Sequence, residues 1–337
     1  MTTRGTDNLR GYFRETSLPL MTNDALAPKM PPPGHKSHQN HLKVEPHPSR
    51  RLEVIYSFLD KSMSGIVSSW IDDHVPDTSL GVEDADPVTG ERLTVPHPPI
   101  FNIPFHNERR PTDIMRLSHW IDNLPLMTVQ RAMHLLYPAT RPWAFFLCDD
   151  NDNDRKIFQY FMWSLPPSEE AMTQEKLAQI GRKSVVIAFQ PPWILSERDI
   201  YEFSQCRSFP PFRVPGNAYP TNLESKERLW GKIWDACVLR NTPWFVLTSY
   251  NHWVFGAFSQ GWTAAFVTPV YTFDAISPSI MEWLMFWVAS AMRLKGWRPI
   301  PKVGAEPPYN PSELPSTVYD ILSATEDPGS ALALFAL

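Results

Sequence analysis

The stretch SVVIAFQPPW, Ser184 to Trp193, decides the fold. Val185, Val186, Ile187 and Phe189 form a β-rich apolar run without polar alternation. A strand buried on both faces reads this way, because neither side of its pleat meets water. Pro191 and Pro192 close the run, since proline cannot donate to a ladder. Val185–Gln190 is therefore expected as a central, doubly covered strand. Working outward, WAFFLCDD (Trp143 to Asp150) and KIFQYFMWSL (Lys156 to Leu165) read as two earlier strands separated by the turn NDND. Between them and the central run, EEAMTQEKLAQIG reads as a helix ended by Gly181. After it, Ser196 followed by Glu197, Arg198 and Asp199 is a helix start.

LESKERLWGKIWDACVLR, Leu223 to Arg240, is the clearest amphipathic helix. Leu229, Ile233, Ala236, Cys237 and Trp230 face inward, and Lys226, Arg228 and Lys232 face outward or sideways. Three strands follow, WFVLTSY, HWVFGAFSQ and WTAAFVTPVYTF, with tight connections at Asn251-His252 and Gln260-Gly261. A helix begins near Pro278, where a missing amide donor costs nothing. The order of elements is that of an α/β or α+β domain.

The flanks differ in character. Residues 1–50 lack apolar periodicity and read as a disordered Pro/His-rich tail. Residues 51–138 read as a helical lead-in, with Val54, Phe58, Ile66, Trp70 and Ile71 at recurring helical positions and breaks near Gly65 and Pro125. The core is expected over 139–298. A Pro-rich extension with a last helix in PSTVYDILSAT occupies 299–337.

Net charge is −5, so bulk positive charge does not drive contact with nucleic acid or anionic lipid. The N-terminal twenty residues contain no apolar h-region. The longest apolar run, Ile280 to Met292, is shorter than the ~20 residues that span a bilayer and contains Glu282. The three cysteines, Cys148, Cys206 and Cys237, have no metal-ligand spacing and read as buried thiols. The expectation is an intracellular protein, cytoplasmic or nuclear, without a membrane partner.

Most chemical motifs are missing. The sequence holds no glycine-rich phosphate loop, G-x-S-x-G, C-x-x-C or H-E-x-x-H. His35, His38, His41 and His47 fit no closed metal site, and Asp84, Asp86 and Glu91 do not match a calcium loop. His252 falls in a hairpin turn, where a solvated side chain is the ordinary reading.

The run Ser184 to Pro192 resembles the central strand of PD-(D/E)XK restriction-endonuclease-like proteins. In that family the strand carries Glu-x-Lys, written in fungal members as an apolar run ending in E-V-K-P. A preceding Asp starts a neighbouring strand, and together they bind magnesium and position water for phosphodiester hydrolysis. NTPWFVLTSYNHWVFGAFSQGW, Asn241 to Trp262, resembles the strand-turn-strand that follows the next helix in these domains and in segments near fungus-specific kinase-like proteins. The resemblance runs from Trp143 to Leu294. It implies a PD-(D/E)XK nuclease-like mixed sheet flanked by helices, as in a degenerate fungal-type member.

Alignment on the strand puts Ala188 at the metal-binding Glu and Gln190 at the Lys. Alanine offers Mg²⁺ no oxygen ligand, and glutamine lacks the lysine charge. The resemblance thus implies a pseudo-nuclease with no catalytic residues in the usual positions and no cofactor. Such a protein acts as a nucleic-acid or protein-interaction module. Its cleft is expected to hold Asp149, Asp150, Gln190, Trp193, Glu197 and Asp199, with Arg182, Lys183 and Arg198 contacting DNA or RNA.

Two alternatives stay open. One is an active Mg²⁺-dependent nuclease whose relocated carboxylates converge near Gln190; the other is an unrelated intracellular α/β enzyme. A protein partner could dock on MPPPGHK or SFPPFRVPG, and the tryptophan-rich last third is a candidate homodimer surface.

Overall fold

A computed structural model gives the coordinates. It describes residues 8–44, 50–58, 60–96, 110–148, 154–166, 173–210, 223–304 and 306. The described chain is mixed α/β, an eight-stranded sheet between two layers of helices. The strands are β1 (Val54–Ser57), β2 (Ala144–Cys148), β3 (Gln159–Ser164), β4 (Val185–Phe189), β5 (Trp244–Thr248), β6 (His252–Phe258), β7 (Ala264–Val267) and β8 (Tyr271–Thr272). Their order is β1-β7-β6-β5-β4-β3-β2, with β8 also on β6. β4 lies at the centre, antiparallel to β3 and parallel to β5. All five of its residues are buried, as the absence of alternation requires.

The helices are α1 (Leu9–Glu15), α2 (Asp60–His74), α3 (Ile114–Ile121), α4 (Met127–Leu136), α5 (Gln174–Gly181), α6 (Glu197–Gln205), α7 (Ser225–Leu239) and α8 (Ile280–Ala291). One sheet face sends Phe161, Val185, Ile187, Phe189, Val246 and Phe255 against α8, which α1, α2 and α4 surround. The other sends Tyr160, Val186, Ala188, Phe245, Leu247 and Val254 against α6 and α7. Every residue of α8 is buried, so the helix is apolar all round instead of amphipathic. Its start is held by a capping box between Ser279 and Glu282, and Ser279 Oγ donates to Phe13 O of α1 at 2.6 Å. Trp287 donates its indole N–H to Phe245 O (3.1 Å) and Gly256 O (3.3 Å), tying the helix to the sheet backbone.

Residues 8–44 depart from the expected disordered tail. Leu9 and Phe13 are fully buried, Leu18, Met21 and Leu42 nearly so, and Tyr12 donates its hydroxyl to Val95 O at 2.8 Å. Only a seven-residue helix and a few scattered anchors carry the packing, too few to produce a period along the sequence.

The lead-in departs as well. Val54 begins a strand, not a helix. β1 pairs in parallel with β7, burying Ile55 and leaving Val54 and Tyr56 outside. The four-residue step from Val54 to Phe58 imitates a helical repeat. α2 runs unbroken through Gly65, and Pro125 sits in a π-helical turn, Asp122–Leu126, that carries α3 into α4. The wider turn takes up the missing amide without a break. Because β1 and α2 join the sheet and α8, residues 51–138 and 139–298 share one core. The last expected strand is two, β7 and β8, parted around Pro269. The helix expected in 315–325, and residues 211–216 of the second proline-rich strip, lie outside the described residues.

The tryptophans fill the interior. Trp163, Trp230, Trp253, Trp283 and Trp287 are each fully buried, and Trp234, Trp244 and Trp262 are buried too. They supply core stacking; Trp297 alone of the described tryptophans is exposed. No described helix is long and apolar enough to cross a membrane.

Two outcomes follow from this packing. A Cβ at Gly256 would lie 2.1 Å from the Phe245 ring on the neighbouring strand. Gly256→Ala should therefore destabilise the fold by about 1–3 kcal/mol, read as a lower denaturant midpoint. The second concerns the loop before α3. Its Glu91 meets His134 Nδ1 at 2.8 Å and accepts from Gln130, while His134 Nε2 bonds Trp143 O at 2.8 Å. Burial pushes the Glu91 carboxyl up, but the bonds from His134 and Gln130 and the charges of His134 and Arg131 outweigh it and hold it below its ordinary value. A depressed carboxylate contributes stability that is full above its unfolded pKa of ~4.3 and is lost as pH falls through the folded value. The stability gap between wild type and Glu91→Gln, measured by denaturant at successive pH values, should close on acidification.

Candidate functional site

Ala188 and Gln190 point to the same sheet face, that of α6 and α7, because they are two residues apart on a pleat. Ala188 is fully buried among Tyr160, Val186, Leu247 and Phe203. An alanine there fits an apolar layer closed to water. Gln190, also fully buried, stands one residue past β4, with its N–H on Thr248 O at 3.2 Å.

A segment from the N-terminal region crosses this end of the sheet. Residues 36–44 form a strap over the end of β4 and the starts of α6 and α7. Asn40 and Gln190 face each other amide to amide, Nδ2 to Oε1 at 3.5 Å and Nε2 to Oδ1 at 3.4 Å. Asn40 Nδ2 also donates to Ser225 Oγ, in the first turn of α7, at 3.1 Å. Ser37 donates its N–H to Asp199 Oδ2 (2.9 Å) and its hydroxyl to Trp193 O (2.6 Å). The Lys43 N–H reaches Asp154 Oδ2 at 2.9 Å, and Lys232 Nζ of α7 pairs with the same oxygen at 2.8 Å. Arg50 then forks onto Asp235 at 2.6–3.0 Å.

The expected cleft residues divide sharply. Gln190, Trp193 and Asp199 are buried at this end of the sheet beneath the strap. Asp199 is the third residue of α6, and its Oδ2 accepts from Ser196 N and Oγ as well as Ser37 N. It serves as a cap and an anchor. Its Oδ1 is buried with no partner among the described residues. Glu197 and Arg198 are exposed on α6, where Arg198 pairs with Glu202 one turn on, at 2.9 Å. Asp149 and Asp150 lie outside the described residues.

Arg182 and Lys183 are exposed just before β4, whereas Arg198 follows it. At ~3.3 Å per residue the strand between them is roughly 17 Å long, so these cations do not line one rim.

Sequence reasoning missed Ser37 and Asn40, and the pairing of Asp154 with Lys232. The first two sit in a polar run without periodicity. Asp154 belongs to an acidic turn that reads as solvated, and Lys232 was expected to face outward or sideways. Buried Asp154 and half-buried Lys232 meet each other, a pairing visible only once β3 and α7 are side by side. A further row was missed. The register pairing Phe189 with Thr248, and Thr248 with Trp253, sets Gln190, Ser249 and His252 abreast on the α6 face. Ser249 Oγ is buried without a partner among the described residues. Burial pushes the His252 imidazole below its ordinary value, against the pull of Glu197 and Asp274.

Cys237 and Cys206 are buried free thiols raised by desolvation, Cys237 far above its ordinary value, so neither is set up as a thiolate nucleophile. Among the described residues no group of three His, Cys, Asp or Glu side chains is placed to hold a metal ion. The arrangement offers amides, ion pairs, carboxylates and backbone groups, which hold an extended segment of the chain. No family model, curated protein or solved structure matches this chain.

An acid placed at this strand position should not build a metal site. Ala188→Glu would bury a carboxylate among aromatic and aliphatic side chains. Its expected outcome is a loss of several kcal/mol of stability, on the order of 3 or more, with no gain of Mg²⁺ binding by calorimetry.

Proposed function

We propose that this chain is a catalytically inactive, nuclease-like α/β protein that works as a protein-interaction module. One observation carries the reading. The sheet end where the resemblance calls for Glu and Lys holds a buried alanine and an amide pair, and the chain's own strap lies across it. A phosphodiesterase of that kind needs carboxylate oxygens around Mg²⁺ and an open path for a charged backbone. The mild negative charge and the split placement of Arg182 and Lys183 from Arg198 favour a protein partner over DNA or RNA.

The test is incubation of the full chain with single- and double-stranded DNA and RNA in Mg²⁺ or Mn²⁺. No cleavage is expected, and no salt-sensitive binding that Arg182→Ala with Lys183→Ala weakens. Cleavage abolished by Asp149→Ala, Asp150→Ala or Asp154→Asn would overturn the reading in favour of relocated Mg²⁺ ligands.

A further inference from the structure

The strap is bound as a foreign peptide would be bound. Its buried side chains, Ser37, Asn40 and Leu42, alternate with exposed His38, Gln39, His41 and Lys43. Three separate elements receive them: the end of β4, the first turn of α6 and the first turns of α7. Backbone N–H groups at both ends, Ser37 and Lys43, are met by carboxylates, Asp199 and Asp154. Further along α7, Gly231 leaves the room that Val44 fills; a Cβ there would lie 2.8 Å from Val44 Cγ1. A groove with fixed acceptors, an apolar slot for Leu42 and a glycine floor is already assembled around this segment.

The grip is uneven. The central contact, Asn40 on Gln190, is at the long limit of a hydrogen bond in both directions. Lys36, itself exposed, holds the outer edge through an ion pair with the half-buried Glu202. Such surface pairs contribute little. An occupant held by Leu42, the Ser37 hydroxyl, the Asn40–Ser225 bond and two backbone amides, but only loosely at Gln190, is replaceable by one with better central contacts.

We infer that the groove between β4, α6 and α7 is a peptide-docking site occupied in cis by residues 36–44. Its partner is an extended segment of another protein, with an amide or hydroxyl side chain followed two residues later by an aliphatic one. A lysine four residues before the amide meets Glu202. The strap is then an autoinhibitory competitor. A tethered segment acts at an effective concentration on the order of millimolar, so a micromolar peptide in trans is held off roughly 10²–10³-fold until the strap lifts. The inference rests on reading this end of the sheet as an interaction site.

The probe is a fluorescein-labelled peptide of residues 35–44, HKSHQNHLKV, titrated against the full chain. Wild type should bind weakly. The full chain carrying Asn40→Ala and Leu42→Ala should bind at least ~10-fold tighter, as relief of a tethered competitor requires. A scrambled peptide should bind neither. A folded double variant that binds no better than wild type, or that takes the scrambled peptide equally, overturns the inference.

Hydrogen exchange of the wild type covers the case in which the variant does not fold. The Ser37 and Lys43 amides should exchange through a local opening, faster than the amides of β4. Exchange only with global unfolding would sink the proposal. Nucleic-acid cleavage by a chain that still takes the peptide would overturn the inactive-nuclease reading alone, while an inert chain that refuses the peptide overturns this inference alone.

Discussion

Trp287 holds the two halves of the architecture in register. Its indole N–H reaches the carbonyls of Phe245 and Gly256 on adjacent strands, from a helix whose every residue is buried. On the opposite face Gly256 has no Cβ, which lets the Phe245 ring lie over it. With α8 pressed on one side and α6 and α7 on the other, β4 has no face left for a charged side chain. A buried carboxylate at Ala188 would lack both water and a cation, and its desolvation would outweigh any local attraction. The apolar layer and the alanine at position 188 are one fact seen from two sides.

Legibility in the sequence followed the range of the interactions. β4 declared itself because burial on both faces removes alternation within five residues. Ser196 and Asp199 announced the start of α6, where both take part in a capping box. The inward residues of α7 were placed by a helical period that needs no outside partner. β1 was misread because its identity comes from β7, far along the chain, and four residues are too few to separate a pleat from a turn of helix. The anchors at Leu9, Phe13, Leu18 and Leu42 were invisible for a related reason. Each is buried by something remote, and a polar stretch between them looks the same whether it is solvated or strapped down.

The candidate site was half legible. Gln190, Trp193 and Asp199 lie together at the end of the central strand, which they follow within ten residues. Their roles were not legible, since a carboxylate that caps a helix and receives a strap looks in sequence like one that binds an ion. Asp154 and Lys232 gave no local sign of pairing. An ion pair between a buried turn residue and a half-buried helix residue exists only in the folded arrangement, and its partners read as two ordinary surface charges.

The interlocking of early and late segments bears on how the chain is made. β1 pairs with β7, and α1 receives the cap of α8 through Phe13 O. During synthesis, residues 8–57 leave the ribosome long before the segments that bury them exist. Leu9, Phe13 and Ile55 must wait, exposed, while the middle of the chain is translated. The sparseness of apolar residues in that stretch, set among prolines and polar side chains, keeps the waiting segment from collapsing or pairing too soon. What reads in the finished sequence as a featureless tail is, on the timescale of translation, a segment built to remain open until its partners arrive.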